Sequence, residues 1–307
     1  MTLARRRFYR KSSKLAKRKR KLFLLKISGI VLAIIAIIAG AVFILRIENI
    51  KIANILIDGN FAVSDKSIRM FAQERISGNY LFFFPKSSIL LYPRRNMEAA
   101  IFDAFKSIKD INIEAENLQT ISIKIKERKP SALWCGVEIH GIIAEELNKE
   151  QTEEQIERQQ TEEKDEEKKL ADKCYFLDEG GFIFSEAPEF SGNAYFRYYG
   201  PLLGEENEAP IGRQFMTEED FDKIIFFLSS LKEIGLKSVY FGSINEDDFE
   251  IKFESGGRIF FGKKQNLSYI FDNIKSVFES KEFNEKDMSE LDYADFRFGN
   301  RVYFKFY

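Results

Sequence analysis

The chain has 307 residues with 47 Lys or Arg, 48 Asp or Glu, one His and two Cys. The near-neutral total hides a segregation: 13 of the basic residues lie at or before Arg46 and no acid does, so the rest of the chain carries a formal charge of −14. Nucleic-acid binding by that acidic part is disfavoured, and the lone His140 with two widely spaced cysteines gives no Cys/His metal centre.

The first element is the apolar run Ile27–Leu45, which has no charged residue between Lys26 and Arg46. As a helix it spans close to ~30 Å, the thickness of a bilayer's hydrocarbon core. Residues 1–26 hold twelve Lys or Arg and no acid, so the positive-inside bias makes them a cytoplasmic tail and places the remainder outside. Two competing readings are a signal peptide cut at Ala39-Gly40-Ala41 and twin-arginine export through Arg5-Arg6-Arg7-Phe8. The long basic arm and the apolar Val42–Leu45 beyond the cleavage point favour an uncleaved anchor.

Beyond the span, the Ile55/Ile57 alternation predicts a strand that leaves through Asp58-Gly59-Asn60, where glycine permits a positive φ. Ser64 is a candidate N-cap for a helix carrying Ile68, Phe71, Ala72 and Ile76 and ending at Gly78. After the apolar connector Asn79–Ser88, Pro93 opens a second helix with Met97, Ile101 and Phe105 on one side. Two period-two runs follow, Ile111/Ile113/Ala115 and Ile121/Ile123/Ile125, joined by a turn at Asn117–Gln119. Residues 48–127 therefore form a β-α-α-β-β unit.

Pro130 cannot donate to a sheet ladder and suits a junction between sheets. Glu127 and Arg128 alternate faces at a strand end and are expected to face solvent. Residues 145–172 contain only Leu147, Ile156 and Leu170 as large apolar side chains and cannot pack a core. Further on, Thr217 begins a helix with Phe221, Ile224, Ile225, Leu228 and Leu231 as its buried stripe. Strands are predicted at Ser238–Phe241, Phe249–Glu254 and Arg258–Phe261, followed by a second core helix marked by Leu267, Ile270, Phe271, Ile274 and Phe278. The overall class is α+β.

Leu291–Phe298, which contains Tyr293, Phe296 and Phe298, and the terminal Arg301–Tyr307 complete the pattern. In the last segment Val302, Phe304 and Phe306 face one way while Tyr303, Lys305 and Tyr307 face the other. Nothing remains in the sequence to cover its outer edge. It is open to strand addition, or else blunted by Arg301 and Lys305.

The tail, the single span, this strand order, Ile55-x-Ile57-x-Gly59-Asn60 and the segment Glu127-Arg128-Lys129-Pro130-x-Ala132-x-Trp134 together resemble the bacterial cell-division family FtsQ, called DivIB in some lineages. The resemblance implies a POTRA-like domain at 48–127 and an FtsQ-type β domain at 128–307, with 145–172 a charged insertion that departs from the family pattern. It implies a single-pass membrane protein enriched at the division septum. FtsB- and FtsL-like division proteins and the septal cell-wall synthase complex would be its partners, and it would have no small-molecule substrate, cofactor or metal. Partner binding then falls on Arg301–Tyr307 and secondarily on Tyr293, Phe296 and Phe298.

In the hairpin that the family places next, Cys135 follows Trp134 and Cys174 precedes Tyr175. The two thiols can then face each other and close the base of the acidic loop, although two separate buried thiols remain the other reading. Two other functions compete: a POTRA-type polypeptide-transport or export adaptor, and an extracytoplasmic cell-wall enzyme. The first would be expected to accompany a membrane barrel of many amphipathic strands. The second would need catalytic groups that form no motif in this sequence.

Overall fold

A computed structural model describes residues 14–137, 173–190, 193–204, 209–284, 288–299 and 301–307. The charged insertion at 145–172 lies outside the described residues, as does Asn300. The chain is α+β and divides into two compact units. The first holds the residues up to Asp103 together with Asp110–Ile125, and the second holds Ala104–Lys109 and the residues from Lys126 onward.

The first unit begins with helix α1 (Lys14–Leu45). It starts well before the apolar run because Lys, Arg and Leu are good helix formers and nothing in Lys14–Lys26 breaks a helix. Lys17–Leu45 is long and apolar enough to cross a membrane, and its candidate span is not buried inside the protein. Strand β1 (Asn54–Asp58) then leads to α2 (Asp65–Ile76), capped by Ser64, whose hydroxyl accepts from the Ser67 N–H at 3.2 Å. A small hairpin, β2 (Asn79–Tyr80) and β3 (Phe84–Pro85), precedes α3 (Arg94–Ala104).

Strands β4 (Ile108–Ala115) and β5 (Thr120–Glu127) complete a three-stranded sheet of order β1-β5-β4, in which β1 runs parallel to β5. Ile68, Ala72, Met97, Ile101, Ile113, Ile121 and Ile123 are buried, as helical and alternating spacing require. Gly59 sits at φ +85°, and a Cβ built there would lie 2.0 Å from the Ile125 carbonyl oxygen. Only glycine fits where the end of β1 crosses so close to β5.

The second unit is one nine-stranded sheet with helices on one face. Its strands are β6 (Ala132–Trp134), β7 (Tyr175–Leu177), β8 (Ile183–Glu186), β9 (Arg197–Tyr199), β10 (Ser238–Ser243), β11 (Asp248–Phe253), β12 (Arg258–Gly262), β13 (Leu291–Phe298) and β14 (Arg301–Phe306). Their order is β14-β13-β12-β11-β10-β9-β6-β7-β8. Helix α4 (Glu218–Glu233) connects β9 to its parallel neighbour β10. Helix α5 (Leu267–Phe278), followed by the short α6 (Lys281–Asn284), connects β12 to its parallel neighbour β13. Parallel neighbours need such crossovers, and a helix supplies one while burying an apolar stripe.

The main core lies between these helices and the sheet, and its commonest residue is Phe: Phe215, Phe221, Phe227, Phe241, Phe253, Phe261 and Phe296. In α4 the buried residues are Phe221, Ile224, Phe227 and Leu231, whereas Ile225 is 37% exposed. At about 100° per residue the stripe centres on Ile224 and Leu231, which brings in Phe227 and leaves Ile225 at its margin.

Candidate interaction edge

Strand β14 is a terminal strand of the nine-stranded sheet, and among the described residues it pairs only with β13. The Tyr307 N–H donates to the Glu290 carbonyl at 2.9 Å. In an antiparallel strand both peptide groups of a residue point the same way and the direction alternates. The peptide groups of Val302 and Phe304 are therefore directed away from β13.

The two faces of β14 are held differently. Val302 packs against the main core, and Phe283 of α6 stacks edge-on to Phe304 at 5.0 Å and lies 5.3 Å from the Phe306 ring. On the other face Tyr303 meets Phe298 at 5.3 Å with perpendicular rings, and the Lys305 ammonium donates to Asp292 at 2.9 Å. Arg301 and Tyr307 are exposed. Phe283 is a contributor that the sequence pattern does not announce, since it falls after the periodic run of α5.

Of the β13 residues expected to meet a partner, Phe298 is exposed and Tyr293 is half-buried beside Phe260. Phe296 is a correction: it is 0% exposed and belongs to the main core. The strand bulges between Asp295 and Phe298, and Phe296 lies with Ala294 on the helix-facing side.

Behind the edge, two buried carboxylates in β13 hold cations that link β13 to other strands of the sheet. Asp292 accepts from Arg258 of β12 at 2.9 Å as well as from Lys305 of β14. Burial opposes its ionisation, but these hydrogen bonds prevail and hold its carboxyl below the usual range. Asp295 accepts two hydrogen bonds from the Arg297 guanidinium, at 2.9 and 2.6 Å, and one from the Arg297 backbone N–H at 3.0 Å, and the guanidinium also reaches Asp248 of β11 at 3.0 Å. The paired carboxylates raise the Arg297 guanidinium further above its ordinary value. The acids in Leu291-Asp292-Tyr293-Ala294-Asp295-Phe296-Arg297 stand between apolar residues, and that is the signal by which sequence reading could have found these pairs.

Of the two charges expected to face solvent, Glu127 and Arg128, the second behaves otherwise. Arg128 is mostly buried: its guanidinium pairs with the buried Asp178, lies 4.0 Å from the Phe182 ring centroid and donates to the Lys106 carbonyl at 3.2 Å. Asp178 also accepts from the N–H groups of Gly180 at 3.0 Å and Phe182 at 2.9 Å, which folds the turn between β7 and β8 around one carboxylate. Gly181 in that turn has φ +78°, and a Cβ there would meet the Phe221 ring at 2.9 Å. Glu127 is half-buried and Pro130 exposed. Trp134 is buried, and its indole N–H donates to the Gly200 carbonyl at 2.9 Å.

A disulfide joins Cys135 and Cys174 with Cα atoms 4.2 Å apart. They are the next opposed positions after the Trp134–Tyr175 pair of β6 and β7. Among the described residues no group of three His, Cys, Asp or Glu is placed to hold a metal ion. No family model matches this chain, and no curated protein matches it.

Proposed function

We propose that the chain is a non-enzymatic scaffold of the bacterial division machinery, anchored by one membrane span and acting through strand addition at β14. The observation that carries this reading is a six-residue terminal strand whose outward peptide groups at Val302 and Phe304 are available to a partner while its side chains are locked by Phe283, Asp292 and the core. A stiff, half-satisfied edge is what β-augmentation requires, because the added strand gains main-chain hydrogen bonds without first ordering its template. The twelve basic residues before the span support a cytoplasmic N-terminus, and the Cys135–Cys174 disulfide supports an oxidising location for the second unit.

On this reading residues 48–127 are a POTRA-like domain, residues 128–307 are an FtsQ-type β domain, and the partners are FtsB- and FtsL-like proteins that regulate the septal cell-wall synthase. The test is capture of an FtsB-like membrane-proximal segment by the unaltered protein and by Val302→Pro. Proline has nearly the volume of valine but lacks the outward N–H, and at an edge position it leaves the β13 ladder intact. Capture should fall at least about tenfold, the equivalent of one or two lost hydrogen bonds. Unchanged capture by Val302→Pro and by a chain lacking Val302–Tyr307 would remove β14 as the docking strand.

A further inference from the structure

We infer that the β2–β3 hairpin is a second membrane contact: its tip inserts into the lipid interface beside the outer end of α1. The inference rests on the reading of α1 as a membrane span.

The tip is chemically wrong for water. Leu81, Phe82 and Phe83 are 78%, 88% and 60% exposed, and Leu90 and Leu91 on the following connector are also open to solvent. Three consecutive large apolar side chains on a hairpin end are not isolated surface residues; they form a patch that must meet something apolar.

The tip is also held in a conformation its residues disfavour. Leu81 and Phe82 have φ of 46° and 66°, and the Phe83 N–H closes the turn on the Tyr80 carbonyl at 3.1 Å. Two adjacent left-handed positions in a tight turn ordinarily call for Asn-Gly. Using Leu-Phe there strains the backbone and projects both side chains outward, a combination that persists where the surroundings reward it.

The occupant follows from where the hairpin is attached. Leu45, the last residue of α1, lines one apolar cleft with Tyr80, Phe84 and Leu91. The chain leaving the span is stitched to the connector after the hairpin: Ile52 donates to the Ser87 carbonyl at 2.8 Å, and Ile89 donates to the Ile50 carbonyl at 2.9 Å. The base of the hairpin therefore abuts the outer end of α1, which on the span reading brings the exposed tip near the level where that helix leaves the hydrocarbon. Tyr80, with the Lys86 ammonium 5.3 Å from its ring centroid, supplies the aromatic and basic pairing suited to the headgroup level. Insertion to ~5–10 Å, as for interfacial helices, covers the tip. A hairpin and a helix end gripping one interface would restrain the tilt of the first unit on the membrane.

The test uses the full chain with Trp134→Phe, so that a single tryptophan can be introduced at Phe82 (F82W) or, within the span, at Phe43 (F43W). Each is reconstituted in vesicles of equal phosphatidylcholine and phosphatidylglycerol, with lipids brominated either high on the acyl chain or near its end. A parallel arm keeps Trp134 and reads the difference from the unaltered protein, so the outcome does not depend on how Trp134→Phe folds. F82W should show blue-shifted emission and be quenched more by the shallow bromine than by the deep one. Water-like emission from F82W with no quenching, alongside quenched F43W, would overturn the membrane contact and point to a hairpin left in water or covered by protein. Failure of both positions to quench would overturn the span itself, and the hairpin contact with it.

Discussion

Replacing Arg128 with Met tests whether the second unit is pinned at the Arg128–Asp178 pair. Methionine preserves much of the aliphatic stem and its packing on Phe182, so the change removes the charge and its hydrogen bonds more than the bulk. The Asp178 side chain is 5% exposed and Arg128 12%, so solvent cannot replace the lost guanidinium. Breaking a buried pair from one side typically costs ~3–5 kcal/mol. Asp178 would keep the Gly180 and Phe182 N–H groups, which places the expected loss near the lower bound, about 3 kcal/mol.

Trp134, the one tryptophan in the chain and buried beside Tyr175, reports this unit during urea unfolding in detergent. With a slope of about 2 kcal/mol per molar urea the midpoint should fall by roughly 1.5 M. Asp178→Asn, which can still accept from the turn amides, should cost about 1–2 kcal/mol. Arg128→Met with Asp178→Asn should cost less than the two single changes combined, because no charge is then stranded. A loss below ~0.5 kcal/mol for Arg128→Met, the scale of an exposed ion pair, or strict additivity of the two changes, would refute this account.

Three further outcomes are expected. The Asp292 and Asp248 carboxyls are both held below their ordinary value of 3.8, against the opposing effect of burial, by their hydrogen-bond donors. Their contribution is therefore full above that value and lost as pH falls through the depressed folded value; hydrogen exchange across β13 and β14 should accelerate only in strong acid, and acceleration already near neutrality would contradict it. Reducing the Cys135–Cys174 bond, which spans a sequence separation of 39, should lower the stability read by Trp134 by ~2–4 kcal/mol, and an unchanged midpoint would mean that the strands alone set the unfolded reference. Leu81→Asn with Phe82→Gly relieves left-handed strain worth about 1–2 kcal/mol, so in detergent it should cost the first unit less than Leu81→Ala with Phe82→Ala, which removes the same apolar contact and keeps the strain; an equal or larger cost would contradict the strain.

The local signals in this chain were readable because they are short-range. The apolar run ending at Leu45, the Ser64 and Thr217 caps, the isoleucine alternation of β5 and the turn glycine Gly59 each express a periodicity or a φ preference that neighbouring residues settle. The same short range explains the misplaced details: a stripe read from spacing alone puts Ile225 inside α4 and Phe227 outside, because only the sheet below decides where the stripe centres.

Tertiary structure decided what the charges do. Arg128, Asp178, Asp292 and Asp295 look like ordinary surface residues in sequence, and their burial depends on partners as many as 50 positions away, as for Arg128 and Asp178. It likewise turned Phe296 from a surface residue into core and brought Phe283 under Phe304 and Phe306. Sequence determined the longer helices and the alternating strands, because those choices are made within a few residues, but it read Asn79–Ser88 as a connector where the chain forms the β2–β3 hairpin. Only the folded chain determined which carboxylates lose their water and which strand ends the sheet among the described residues, because both depend on what the rest of the polypeptide brings alongside.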